Sequence, residues 1–302
     1  MPADVHGILL LDKPLGLSSA GAVARVKRLF GARKAGHTGS LDPLATGMLP
    51  ICFGEATKFG ARLLDADKTY RVTLRLGERT ASADRESPVI ERRTLPAYGD
   101  DDLRDALQAF PRDYLQVPPM HSAIKQDGKP LYEYARAGIT RDRAARPILI
   151  HDLTLVSWSA PELCFDVRCS KGTYIRVLAE DLAAQLGTVG HLAGLHRLSV
   201  APFESERSWR LDALEAMDAP GRMSALLAVD AALAGCRRFD LSPQDLGALR
   251  QGQAIAVPES VESSPGTVRI YAQGLGFLGL GEIEVTGRLV PRRLISSSSN
   301  PA

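Results

Sequence analysis

The sequence has almost no charge excess: 37 Lys and Arg against 35 Asp and Glu leave a net +2 at neutral pH. A polyanion therefore cannot be gathered by a field spread over the whole molecule and must meet local clusters of Lys and Arg. Cysteines are few, at Cys52, Cys164, Cys169 and Cys236, and none has the paired spacing of a zinc or redox motif. Cys164 and Cys169 lie an odd number of residues apart in a segment patterned as a strand, which sends them to opposite faces. No metal site is expected, and free, mostly buried thiols suit a reducing cytoplasm. No apolar run approaches the roughly 20 residues needed to span a bilayer, and the N-terminus lacks the features of a signal peptide. An internal repeat, a Rossmann glycine pattern and a P-loop are absent too, so no nucleotide cofactor is expected.

What is present suits a soluble globular chain: 45% hydrophobic and 24% charged residues over 302 positions, room for one large or two ordinary domains. Residues Gly7 to Pro14 form a short apolar run ended by a turn, as in a buried strand. Ser18 or Ser19 can cap the helix that follows, in which Val23, Val26 and Phe30 recur at helical spacing and Gly31 supplies the stop. Arg25, Lys27, Arg28, Arg33 and Lys34 fall largely on its other faces, either as a solvated surface or as a phosphate-binding one. Tyr70, Val72, Leu74 and Leu76 alternate with polar residues, the period of a half-buried strand.

Residues 84 to 100 read as a surface loop, followed by a helix from about Asp101 to Phe110. Pro118 and Pro119 then break the chain. Met120 to Pro147 is basic and poor in large apolar residues, which predicts an exposed, mobile insertion. Strand patterns resume at Leu153 to Val156 and Leu163 to Ser170. An amphipathic helix after Tyr174 carries Leu178, Leu182 and Leu186 on one stripe and stops at Gly187. Beyond Gly235 a glycine-punctuated, β-rich segment bears a second basic group, Arg288, Arg292 and Arg293. At about 55 residues it is short for an independent unit, so a small barrel packed on the first domain is expected. The expected boundaries are 1–236 for the first domain, with the insertion at about 118–147, then 237–295 for the second, and a disordered tail at 296–302.

The loop from Gly36 to Gly47 holds one carboxylate, Asp42, followed by Pro43. Glycines at 36, 39, 47 and 54 let such a backbone fold tightly and a ligand come close. Asp-Pro by itself initiates turns, but a run of Gly, His, Thr, Ser and Asp is more than a turn requires.

GHTGSLDPLATGMLPICFGEATK resembles the catalytic motif of the TruB family of tRNA pseudouridine-55 synthases, and GILLLDKPLGLSS, DKTYRVTLRLG and CSKGTYIRVLAEDL follow in the family's order. PPMHSAIKQDGKPLYEYARAG resembles the RNA-gripping insertion of bacterial members. LSPQDLGALRQGQAI with the strands after it resembles, more loosely, a PUA-type RNA-binding domain. The resemblance implies an α+β fold: a catalytic domain with a mixed, largely antiparallel sheet, flanking helices and the insertion, plus a small β-barrel PUA-like C-terminal domain. It implies isomerisation of uridine-55 in the T arm of tRNA, with no cofactor because no net redox change occurs. A stand-alone cytoplasmic monomer, needing neither guide RNA nor protein partner, is the matching expectation.

By this resemblance Asp42 is the nucleophile, attacking either the ribose C1′ or the base. Arg176 is the cation that keeps it ionised, and Tyr70 stacks on the extruded base or transfers a proton. Tyr174, two residues before Arg176 in a segment read as extended, points to the same side. Leu195 packs on the base and His37 reaches the RNA. Lys13 either supports the pocket or contacts phosphate. Read without the family, Tyr70 and Leu195 would be core residues, and Arg176 a surface strand arginine.

Two segments depart from the family pattern. Thr80-Ala-Ser-Ala-Asp84-Arg-Glu-Ser87 lacks a second Thr and a Gly, which puts the loop's conformation in question, and His121 stands where many members have Tyr. A non-catalytic RNA-binding protein is the competing reading. A hydrolase that works through paired carboxylates is weaker, because no second carboxylate adjoins Asp42 in sequence.

Overall fold

In the computed structural model, which describes residues 4–203, 208–258 and 264–296, β1 (Gly7–Lys13) is buried on both faces. That is why its sequence is a continuous apolar run and not an alternating one. Ser18 caps α1 (Ser19–Leu29), its side chain accepting the Gly21 N–H, and Gly31 closes it with a φ of +62°. β2 (Ala35–His37) and β3 (Ala45–Phe53) pair antiparallel on either side of the glycine-rich loop. α2 (Gly60–Asp65) leads into β4 (Lys68–Leu76), where Tyr70, Val72, Leu74 and Leu76 are all buried, as the alternation predicts.

A small hairpin, β5 (Glu78–Thr80) and β6 (Val89–Arg92), precedes α3 (Asp100–Ala109) and β7 (Asp113–Gln116). The insertion folds into a short hairpin, β8 (Lys125–Gln126) and β9 (Lys129–Pro130), and a helix, α4 (Leu131–Arg136), gathered on the buried Leu131. Arg141 stacks 4.6 Å from the Tyr134 ring centre. β10 (Arg146–Ser159) is longer than its sequence pattern suggests. Register shifts at Ile150/Asp152 and Leu155/Ser157 interrupt its alternation, so only the stretch between them reads as a strand. β11 (Glu162–Cys169), α5 (Ile175–Gln185), β12 (Gly190–Val200), β13 (Trp209–Arg210), α6 (Leu211–Ala216) and α7 (Ala219–Ser224) complete this part.

The strands form one mixed, largely antiparallel sheet in the order β13-β1-β3-β12-β4-β11-β10-β7, with β2 also on β3. Its parallel pairings are β1 with β13 and β3 with β12. Leu178 and Leu182 of α5, Leu103 and Leu107 of α3, and Ala22 and Val26 of α1 cover one face and form the main core. Behind β1 and β3 a second cluster packs Ile8, Leu10, Met48 and Cys52 against Leu63 and Phe203. At the β3–β12 seam Leu195 pairs with both Ala45 and Val72, and Arg197 with both Gly47 and Tyr70. This register brings the strand that follows the glycine-rich loop, the Tyr70 strand and the Leu195 strand side by side.

A separate five-stranded sheet follows, from β14 (Arg237–Leu241), α8 (Leu246–Arg250), β15 (Ile255–Ala256), β16 (Gly266–Ala272), β17 (Gly276–Ile283) and β18 (Arg288–Leu294), in the order β14-β16-β17-β18-β15. Its outer strands do not pair with each other, so it is an open half-barrel around Phe239, Leu249, Ile270 and Leu289. It joins the first unit through Phe59 and Phe277, whose rings lie 5.4 Å apart. Lys58 Nζ also donates to the Leu294 carbonyl at 3.0 Å. Of the tail expected at 296–302, Ser296 is placed, its N–H donating to Glu55 Oε2 at 2.8 Å, and 297–302 lie outside the described residues. Among the described residues no helix is long and apolar enough to cross a membrane.

Candidate active site

Asp42 lies between β2 and β3 in a loop fastened at several points. Ser19, the alternative helix cap in the sequence, is used otherwise: buried, it accepts the Leu41 N–H at 2.7 Å and donates to the Leu41 carbonyl at 3.0 Å. The Pro43 carbonyl accepts the Gly16 N–H at 2.8 Å, and the Asp42 carbonyl accepts the Ala45 N–H at 3.0 Å. Gly47 has a φ of +95°, and a Cβ there would fall 2.3 Å from the Arg197 carbonyl oxygen. No other residue fits that crossing. The result is a tight loop that presents one carboxylate.

Arg176 meets that carboxylate, its Nε 3.1 Å from Asp42 Oδ2. Every nitrogen of the guanidinium is engaged: Nη2 donates to the His121 carbonyl at 2.6 Å and Nη1 to the Ser82 carbonyl at 3.4 Å. Asp84, which is buried, places Oδ2 3.9 Å from Nη1. One buried cation thus faces two carboxylates. Arg176 does not lie in an extended segment beside Tyr174, as its sequence suggests: it is the second residue of α5, and Tyr174 is the N-cap. The β-branched and aromatic run Thr-Tyr-Ile mimics a strand, but Gln116 holds both backbone groups of Tyr174 with its side-chain amide, at 2.8 and 3.2 Å, and the helix starts there.

The loop that departs from the family pattern is built by its own hydroxyls. Ser82 Oγ lies 2.5 Å from Asp84 Oδ1 and 2.7 Å from Ser87 Oγ, and Ser87 Oγ accepts the Ser82 N–H at 2.8 Å. A carboxylate only accepts, so the Ser82 proton goes to Asp84 and Ser87 donates to Ser82. The Glu86 N–H reaches the same Asp84 oxygen at 3.0 Å. Partial burial, then the Asp84 and Asp42 charges, hold the Glu86 carboxyl above its usual range.

Tyr70 is buried on β4, and its burial raises the phenol above the usual tyrosine value. The same cause raises Tyr174. Leu195 is half-buried on β12. His37, half-buried on β2, is held below the ordinary imidazole value by burial and then by the Arg197 charge, which favours the neutral ring. Lys13 requires a correction. It is wholly inaccessible, with Nζ donating to the carbonyls of Pro14 and Leu17, and burial lowers it to about 8. Of the two roles open to it, contact with phosphate is closed off by this burial. Sequence reading missed Asp84, Gln116 and Arg197 as parts of the site. For Asp84 the signal was slight, one of two acids in the Thr80–Ser87 segment that departs from the family pattern.

Three family models match in tandem. Residues 27–175 match the TruB family pseudouridylate synthase N-terminal domain, 176–234 the tRNA pseudouridylate synthase B C-terminal domain, and 238–295 the pseudouridine synthase II TruB C-terminal model. Over 294 residues the chain is 50% identical to tRNA pseudouridine synthase B of Aromatoleum aromaticum, covering 97% of this chain and 94% of that one. The chain belongs to the TruB family of pseudouridylate synthases. A second TruB-family relative, tRNA pseudouridine synthase B of Cupriavidus metallidurans, is 49% identical over 97% of this chain and 95% of its own length. Among solved structures, the archaeal box H/ACA sRNP Nop10-Cbf5 complex is similar in fold, with a TM-score of 0.72 at 21% identity over 99% of this chain and 89% of the other. The mixed sheet with its appended half-barrel is thus a TruB-family architecture.

Proposed function

We propose that this protein isomerises uridine-55 in the T arm of tRNA to pseudouridine, with Asp42 as nucleophile on a flipped-out base and without a cofactor. The observation that carries the reading is the 3.1 Å pair between Asp42 and Arg176, set in the loop that the β3–β12 seam holds next to Tyr70 and Leu195. Extruding a uridine costs a few kcal/mol, and stacking on an aromatic ring returns about 1–3 kcal/mol per base. Tyr70 and Tyr174 provide such rings, and Leu195 an apolar wall. Once the base is in, Arg176 holds the Asp42 carboxylate aimed at either the ribose C1′ or the base. His37, neutral and beside the loop, serves RNA positioning.

The half-barrel at 237–295 acts as a PUA-like RNA-binding domain, and the insertion at 118–147 grips the stem. The basic face of α1 adds phosphate contacts that set register and not sequence. The enzyme works in the cytoplasm as a monomer, without a guide RNA or protein partner. The test is to incubate unmodified tRNA with wild type and Asp42→Asn and map pseudouridine by carbodiimide labelling and primer extension. A mark at position 55 with wild type alone supports the reading. No mark with wild type overturns it, and equal marks with both remove Asp42 from its role.

A further inference from the structure

Arg197 is the largest of the fully buried side chains, 1% exposed, at the β3–β12 seam. Its Nε donates to the Met48 carbonyl at 2.6 Å and its Nη2 to the Gly39 carbonyl at 3.2 Å. Gly39 precedes Asp42 and Met48 follows it, so one side chain ties the two arms of the catalytic loop together. The guanidinium also faces the Tyr70 phenol. Both of these acceptors are neutral carbonyls, and among the described residues Arg197 enters no ion pair.

An unmatched buried cation is costly, several kcal/mol even after relaxation. Two carbonyls could be bridged by a neutral amide at far lower cost, so bridging alone does not account for the charge. The reaction proposed above does. When the C1′–N1 bond breaks, its electron pair stays on the base. C1′ is left as an oxocarbenium ion or as an ester of the Asp42 carboxylate. The base's electron pair then forms the C5–C1′ bond, freeing the carboxylate in the second case, after which the C5 proton leaves and N1 regains one. Fixed positive charge near developing negative charge is the largest single source of catalysis in many sites, because it needs no reorganisation during the reaction.

We propose that Arg197 is a positioning residue that locks the two arms of the Asp42 loop and supplies, behind Tyr70, the fixed positive charge that stabilises the detached, electron-rich base. This rests on the isomerase reading. It is distinct from Arg176, which pairs with the nucleophile and not with the base.

The test uses full-length Arg197→Gln, which keeps donors without charge, and Arg197→Lys, which keeps charge with poorer bridging. Single-turnover rates at saturating enzyme, tRNA affinity by filter binding, and thermal melting are measured for each. Arg197→Gln is expected to slow pseudouridine formation by about 10²–10³-fold, the scale for losing one preorganised donor. Its tRNA affinity should stay within about two-fold of wild type, and Arg197→Lys should recover ~10-fold of the lost rate. A folded Gln variant as fast as the Lys variant, or losses that track weakened tRNA binding or the unfolded fraction, overturns the proposal. Should Arg197→Gln not fold, Arg197→Met replaces it under the same criteria. An inactive wild type in this assay sinks the isomerase reading and the proposal together, whereas an active wild type with unaffected variants sinks only the proposal.

Discussion

Arg176 and Asp42 form an uneven pair: their charged atoms are 3.1 Å apart, yet the arginine side chain is 7% exposed and the aspartate 44%. The cation is fixed in the protein while the carboxylate looks outward, as the proposed nucleophilic role requires. The fixed end depends on the planar fork of the guanidinium, whose three nitrogens reach three different elements.

Arg176→Lys keeps the charge but cannot serve those directions together. A fall of about 10²–10³-fold in single-turnover rate is expected, with tRNA affinity little changed. A rate within two-fold of wild type would show that charge alone suffices.

Ser87→Ala removes both the acceptor of the Ser82 N–H and the donor to the Ser82 hydroxyl. Asp84 then loses the support that aims it at Arg176. A roughly tenfold slower reaction is expected, equivalent to ~1.4 kcal/mol in the barrier. The check is the rate of Ser87→Ala against Asp84→Asn: if Asp84→Asn is slow and Ser87→Ala is not, the hydroxyl pair plays no part in aiming Asp84.

Lys68 gives a pH signature. Its buried ammonium donates to the carbonyls of Leu63, Leu64 and Ala66, and burial lowers it from 10.5 to about 8. Between those values the unfolded chain holds a proton that the folded one has released. This group's contribution to stability therefore rises with pH across the window and is smallest below about 8. Urea unfolding of wild type and Lys68→Met should show a wild-type advantage that grows from pH 8 towards 10. A constant difference would refute the assignment.

The basic helix makes a further distinction. Arg25 is already neutralised by Glu215 at 2.6 Å, whereas Lys27 and Arg28 are exposed and, among the described residues, enter no ion pair. Replacing Lys27 or Arg28 by Ala should weaken tRNA binding and reduce the salt slope by about one each. Replacing Arg25 should change it less. Equal slopes for all three would place the phosphate backbone elsewhere.

Where periodicity reported burial, the fold was legible. The apolar run of β1, the alternation of β4 and the leucine stripe of α5 each appear in the sequence and in the core. β10 was legible only between its bulges. Within the site, Asp42 stood out through its glycines, and Tyr70 through its strand. Asp84 did not, because its partner Arg176 is distant along the chain and adjacent only after α5 docks. Lys13, Lys68 and Arg197 were opaque for another reason. Their long charged side chains mark surface in any hydropathy pattern, but here each ends on backbone carbonyls inside the protein.

The insertion touches Arg176 through the main chain, at the His121 carbonyl. Side-chain substitution at position 121 leaves that oxygen in place. An alanine scan across the insertion would accordingly pass over its direct link to the chemistry. Only a change that moves the backbone, such as a deletion or a proline nearby, would expose it.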